Sequence, residues 1–80
     1  MGGHKTLDGI RLGDILRVAL EAGIGYRTGK KHPYQLERPG MRPCPIATST
    51  HAYRMVTPWM AEATGRGRQE IYESLRCGFW

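Results

Sequence analysis

Residues 24–46 read IGYRTGKKHPYQLERPGMRPCPI, and the fold turns on whether this stretch is helical or extended. No apolar residues recur at three- and four-residue spacing across it. Short segments containing Ile, Tyr, Thr and Leu are instead divided by Thr28-Gly29-Lys30 and Arg38-Pro39-Gly40, which carry the residues that tight turns favour. The reading is therefore three short strands, at 24–28, 32–37 and 43–47, in an antiparallel meander. Pro33, Pro43 and Pro45 have no backbone N–H to give to a neighbour, so the second and third strands are expected to be short, irregular or at a sheet edge.

Upstream, Leu12, Ile15, Leu16, Ala19 and Leu20 fall on one stripe with Asp14, Arg17 and Glu21 off it, which predicts an amphipathic helix over 8–22. Asp8 or Asp14 is the candidate cap, and Gly23 is the stop because glycine accepts the left-handed conformation that closes helices. Downstream, Thr48-Ser49-Thr50 offers hydroxyl caps for a turn or helix beginning near His51. Thr57-Pro58 is a sharper start signal, for a helix over 58–64 ended by Gly65. After Arg66-Gly67, the spacing of Ile71, Tyr72 and Leu75 places a last short helix at 69–76, closed by Gly78. The expected architecture is a single α+β domain over 1–80, with 1–7 a flexible lead. Its helices cover one face of the sheet and leave the other free to meet a ligand.

Eighty residues, 40% of them apolar, leave no room for a second core, which excludes an enzyme with separate cofactor and substrate domains. Twelve Lys and Arg against seven Asp and Glu give a net charge of +5, a balance that suits a phosphate-bearing partner. No apolar run is long enough to span a membrane, and Met1–Gly13 lacks the apolar core of a signal peptide, so the expected location is the cytoplasm, with no membrane partner. Cys44 and Cys77 are then expected as reduced thiols. No two of Cys44, Cys77, His4, His32 and His51 have the close paired spacing of structural zinc sites, so no metal and no cofactor is expected.

The chemically dense stretch is Tyr26–Tyr34, with Arg27, Lys30, Lys31, His32 and two tyrosines in one hairpin. With Arg38 and Arg42, the window 26–42 holds five of the twelve basic side chains against one acid, Glu37. Such cations neutralise phosphates, and a ring such as Tyr34 stacks on an unpaired base. The plain alternative is a solvated hairpin whose lysines protect a sheet edge. His32 is the residue there able to take and give a proton, as RNA transesterification requires, with Arg27, Lys30 and Lys31 steadying phosphate charge. The plain alternative for His32 is a structural histidine.

In order and spacing the chain resembles the HicA, or YcfA-like, family of small messenger-RNA-interfering toxins. The residues that carry the likeness are Glu21-Ala22-Gly23-Ile24-Gly25-Tyr26 closing the first helix, Gly29-Lys30-Lys31-His32-Pro33-Tyr34 where the family has its turn and histidine, and the ending Thr57–Gly65 and Arg68–Leu75. Lys31 stands where the family has a small residue, and the loop 48–56 is longer. The resemblance implies a double-stranded-RNA-binding-like α-β-β-β-α fold, metal-independent cleavage of messenger RNA at His32, and a small antitoxin partner covering the active face.

A rival reading is DNA recognition by a helix-turn-helix in residues 57–76. Ala61, Gly65 and Ile71 match its spacing, and Arg66, Arg68 and Gln69 would start the recognition helix. Phe79 and Trp80, with Trp59 and Tyr53, are read as core cover or as a partner patch.

Overall fold

A computed structural model describes residues 4–29 and 33–80. In chain order the elements are α1 (Leu12–Glu21), β1 (Gly25–Arg27), β2 (Tyr34–Glu37), β3 (Cys44–Ile46), a π-helical turn (Ala52–Val56) running into α2 (Thr57–Thr64), and α3 (Arg68–Cys77). The three strands form an antiparallel sheet in the order β1-β2-β3, so β2 is central even though Pro33 immediately precedes it. Pro45 sits in edge strand β3, where a missing N–H does least harm.

Register decides which side chains enter the core. Tyr26 stands opposite Leu36 and Leu36 opposite Cys44, while Tyr34 stands opposite Ile46, so these five share one face by the two-residue alternation of strands. Leu36, Cys44 and Ile46 are buried on it, under α1 and the π-helical turn. Gly25, Arg27, Gln35, Glu37 and Pro45 make the outer face, and none of the five is buried.

The α1 stripe differs in one residue from expectation. Leu12, Ile15, Leu16 and Ala19 are buried as read, but Leu20 faces out and Val18 faces in. The reason is that α1 is covered on two sides, by β1 and by α3, so a second row of the helix is apolar. Neither Asp8 nor Asp14 caps α1. Arg11 holds the cap position without a side-chain bond, and the Leu12 N–H is taken by the His4 carbonyl at 3.1 Å. Gly23 closes the helix as expected, at φ +83°, with the Ile24 N–H reaching back to the Ala19 carbonyl at 2.8 Å.

Helix α2 also begins earlier than the Thr57-Pro58 signal indicated. The chain is already helical from Ala52, and the Thr57 hydroxyl donates to the Tyr53 carbonyl one turn back instead of capping. Pro58 cannot donate, and its ring crowds the carbonyl four residues earlier, so a widened π turn just before it relieves the clash. Gly65 at φ +82° turns the chain into α3, which packs on α2 and α1. Ile71 and Leu75 from α3 join Ile15, Ile24, Leu36, Ile46, Val56 and Met60 in one core.

Residues 4–7 were expected as a loose lead, yet Thr6 is buried, and Leu7 donates to the Thr50 carbonyl at 2.8 Å. Lys5 forms a bridge with Arg11. Among the described residues no helix is long and apolar enough to cross a membrane.

Candidate nucleic-acid interface

Among the described residues of the basic window 26–42, Arg38 and Arg42 stand apart from Tyr34. Strand β2 carries Tyr34 at its start and Glu37 at its end, about 10 Å apart at the rise of an extended chain. Arg38 and Arg42 follow at the Glu37 end, exposed in the turn between β2 and β3, where the Arg42 carbonyl accepts the Trp59 indole N–H at 2.7 Å. They are therefore at the opposite end of β2 from Tyr34. Lys30, Lys31 and His32, the cations and the catalytic candidate of that turn, lie outside the described residues. Arg27 is exposed on the outer face, where its Nε is 2.6 Å from Glu37 Oε2, so the acid of the window neutralises it.

Tyr34 is on the inner face, not the free outer one. It is half-buried against the core edge, and Tyr26 meets it edge to face at 5.9 Å between ring centres. Its neighbours include residues the sequence reading had not grouped with it. A cleft of about 810 Å³ is lined by Tyr34, Pro33 and Thr48 on one side and by His4, Arg11, Leu12, Gly13, Asp14 and Arg17 on the other. A second hollow, lined by Lys5, Asp8, Gly9, Arg11, Asp14 and Arg76 among others, shares Arg11 and Asp14 with the first. Arg17 and Arg11 thus line the first depression, and Arg11, Lys5 and Arg76 the second. None of the four has an ion-pair partner among the described residues. Three-residue and four-residue spacing in α1 was legible, but Lys5 and Arg76 come from opposite ends of the chain, and only the packing of α3 on α1 brings them together.

Arg66, Arg68 and Gln69 are divided as well. The Arg66 guanidinium lies 3.9 Å from the centre of the Trp80 ring and donates to the Trp80 carbonyl at 3.2 Å, so it is folded back onto the chain end. Arg68 and Gln69 are exposed at the start of α3, where the Gln69 amide is 3.4 Å from Glu73. Trp59 and Trp80 pack on the core edge, while Phe79 is exposed.

A polar cluster that the sequence reading missed surrounds Asp8. Its carboxylate accepts the Thr6 hydroxyl at 2.7 Å and the N–H groups of Ala52 and Tyr53 at 2.8 and 2.9 Å. Asp8 therefore caps the helix that starts at Ala52, over a long sequence separation. Burial alone would raise its pKa, but the Thr6 hydroxyl and the two amides outweigh it and hold the group at about 2. The buried Nδ1 of His51 faces the same carboxylate at 3.6 Å and has no hydrogen-bond partner. Desolvation, and after it the charge of Asp8, raise the pKa of nearby Tyr72, whose ring meets Tyr53 edge to face at 4.9 Å. Cys44 is buried, which pushes its thiol up to about 11 and leaves it unreactive.

Comparison with protein-family models, with curated proteins and with solved structures finds no match to this chain.

Proposed function

We propose that this chain binds RNA, with the phosphate backbone on Arg17, Arg11, Lys5 and Arg76 and Tyr34 beside it. The observation that carries the reading is the pair of adjoining hollows sharing Arg11, because it gathers four cations from three segments near a half-buried tyrosine. Cations beside an aromatic ring are what a strand with unpaired bases needs. The net charge of +5 supplies the long-range attraction.

The likeness to the HicA toxins extends this reading to metal-independent cleavage of messenger RNA, with His32 as the acid or base. A small antitoxin would then cover the active face. Neither step depends on the four cations, so binding and cleavage are tested separately.

Binding is measured by anisotropy of a labelled twelve-nucleotide single strand. If four phosphates are neutralised, log K falls with log salt at a slope of about −3, so affinity drops roughly fiftyfold between about 50 and 200 mM salt. Arg11→Ala with Arg17→Ala should flatten that slope by about half. A salt-independent affinity, or none, removes the RNA reading. Cleavage is measured in EDTA with a long messenger RNA, and loss of products in His32→Ala is the expected result. Equal products from both proteins remove His32 as the catalytic residue.

Duplex DNA recognition by residues 57–76 is the second reading. The α2–α3 corner has the left-handed Gly65 and the buried Ile71 that such a corner uses. Arg66, however, is held by Trp80, leaving Arg68 and Gln69 to contact bases. Loss of duplex binding in Arg68→Ala, with Arg11→Ala unaffected, would favour it.

A further inference from the structure

We infer that the cleft between α1 and Tyr34 is a pocket for one unpaired nucleotide, which takes the base against Tyr34 and the phosphate on Arg11 and Arg17. This rests on the RNA reading and narrows it, from a track that follows any polyanion to a site that requires a base splayed out of its stack.

Three features of the cleft carry the inference. Its volume, about 810 Å³, is within the range of small-ligand sites and ample for a nucleoside monophosphate. Its wall is divided by chemistry: Tyr34, Pro33 and Leu12 supply apolar and aromatic surface, while Arg11 and Arg17 supply charge. Base stacking and phosphate neutralisation need those two kinds of surface side by side. The ring is also fixed in advance. Tyr34 is held half-buried by the core and by the edge-to-face contact with Tyr26, so little side-chain freedom is lost when a base settles on it. Asp14 is the acid of the wall, an acceptor for a ribose hydroxyl or an exocyclic amine.

Gly13 makes the inference testable without damage to the fold. It lies in α1, exposed, in the wall of the cleft, and a Cβ built there meets nothing within 4 Å. Its φ is not in the left-handed region, so a longer side chain fits the helix at this wall of the cleft.

The experiment titrates 5′-AMP and 5′-UMP into isotope-labelled protein and follows amide shifts at residues 11–17 and 34. Saturable shifts are expected there, with inorganic phosphate alone and unphosphorylated adenosine each binding at least tenfold more weakly. Gly13→Gln should abolish the shifts while its melting temperature stays equal or rises. Arg17→Ala should weaken binding by at least tenfold. The proposal is overturned by absence of saturable shifts in the parent, by equal affinity in Gly13→Gln, or by adenosine binding as well as AMP. The same variants are titrated with the twelve-nucleotide strand. Strand binding with no mononucleotide binding leaves the RNA track standing and removes the pocket, whereas failure of both removes the track as well.

Discussion

Asp8 shows how much one side chain can decide here. A carboxylate with three donors on it loses its bonds when protonated, and its folded pKa of about 2 lies below the ordinary 3.8. A depressed folded pKa contributes stability that is fully present above the unfolded value and disappears as pH falls through the folded one. The contribution at pH 7 is roughly 1–2 kcal/mol after allowance for solvent screening, and it is lost between about pH 4 and pH 2. Asp8→Asn should therefore unfold at lower urea than the parent at pH 7, by about that amount, and the gap should close near pH 2. A gap unchanged by acid would show that Asp8 acts only through shape. This role was hidden in the sequence. Asp8 stands just before the α1 stripe and reads, with Asp14, as a candidate for its cap, but its partners include Ala52 and Tyr53, reached only when residues 4–8 pack beside residues 47–53.

At the scale of elements, two glycines of the first helix region make opposite predictions. Gly23 sits at φ +83°, which a side chain tolerates poorly, so Gly23→Ala should destabilise by about 1 kcal/mol. Gly13 is inside α1 with open space around it, and Gly13→Ala should stabilise by up to about 1 kcal/mol. Thermal melts of both variants check the pair, and the same sign for both would contradict the helix ending drawn here. Gly23 was legible because a helix stop is local chemistry. The strands were legible in the same way: 24–28, 32–37 and 43–47 bracket the observed 25–27, 34–37 and 44–46. The π-helical turn at Ala52–Val56 was only partly legible. Thr48–Thr50 marked a start near His51, but Pro58 read as a first helical residue, and the widening that accommodates it needs the geometry of the preceding turn.

For the whole molecule, the radius of gyration is 11.1 Å, and one core draws on α1, β2, β3, the π-helical turn, α2 and α3. Leu75→Ala, at a position with no exposed surface, should cost about 2–5 kcal/mol, much of what a domain this size possesses. Denaturant unfolding measures it, and a loss under 1 kcal/mol would mean that α3 is not a full part of the core. The core residues of α1 and α3 were readable from periodicity, except where two-sided cover exchanged Val18 for Leu20, whereas Val56 and Met60 carried no such signal. The candidate interface was readable only as net charge, because Lys5, Arg11, Arg17 and Arg76 converge through tertiary packing. The two tryptophans offer a view of that packing from within. Trp59 gives its indole proton to the loop after β2, whereas Trp80 lies beneath a guanidinium with its backbone N–H bound to Glu21 at 2.7 Å. Each is an intrinsic fluorophore in a different electrostatic setting, reporting on a different seam. Single-tryptophan variants would thus tell whether the sheet-side loop and the chain end let go together on heating or in succession.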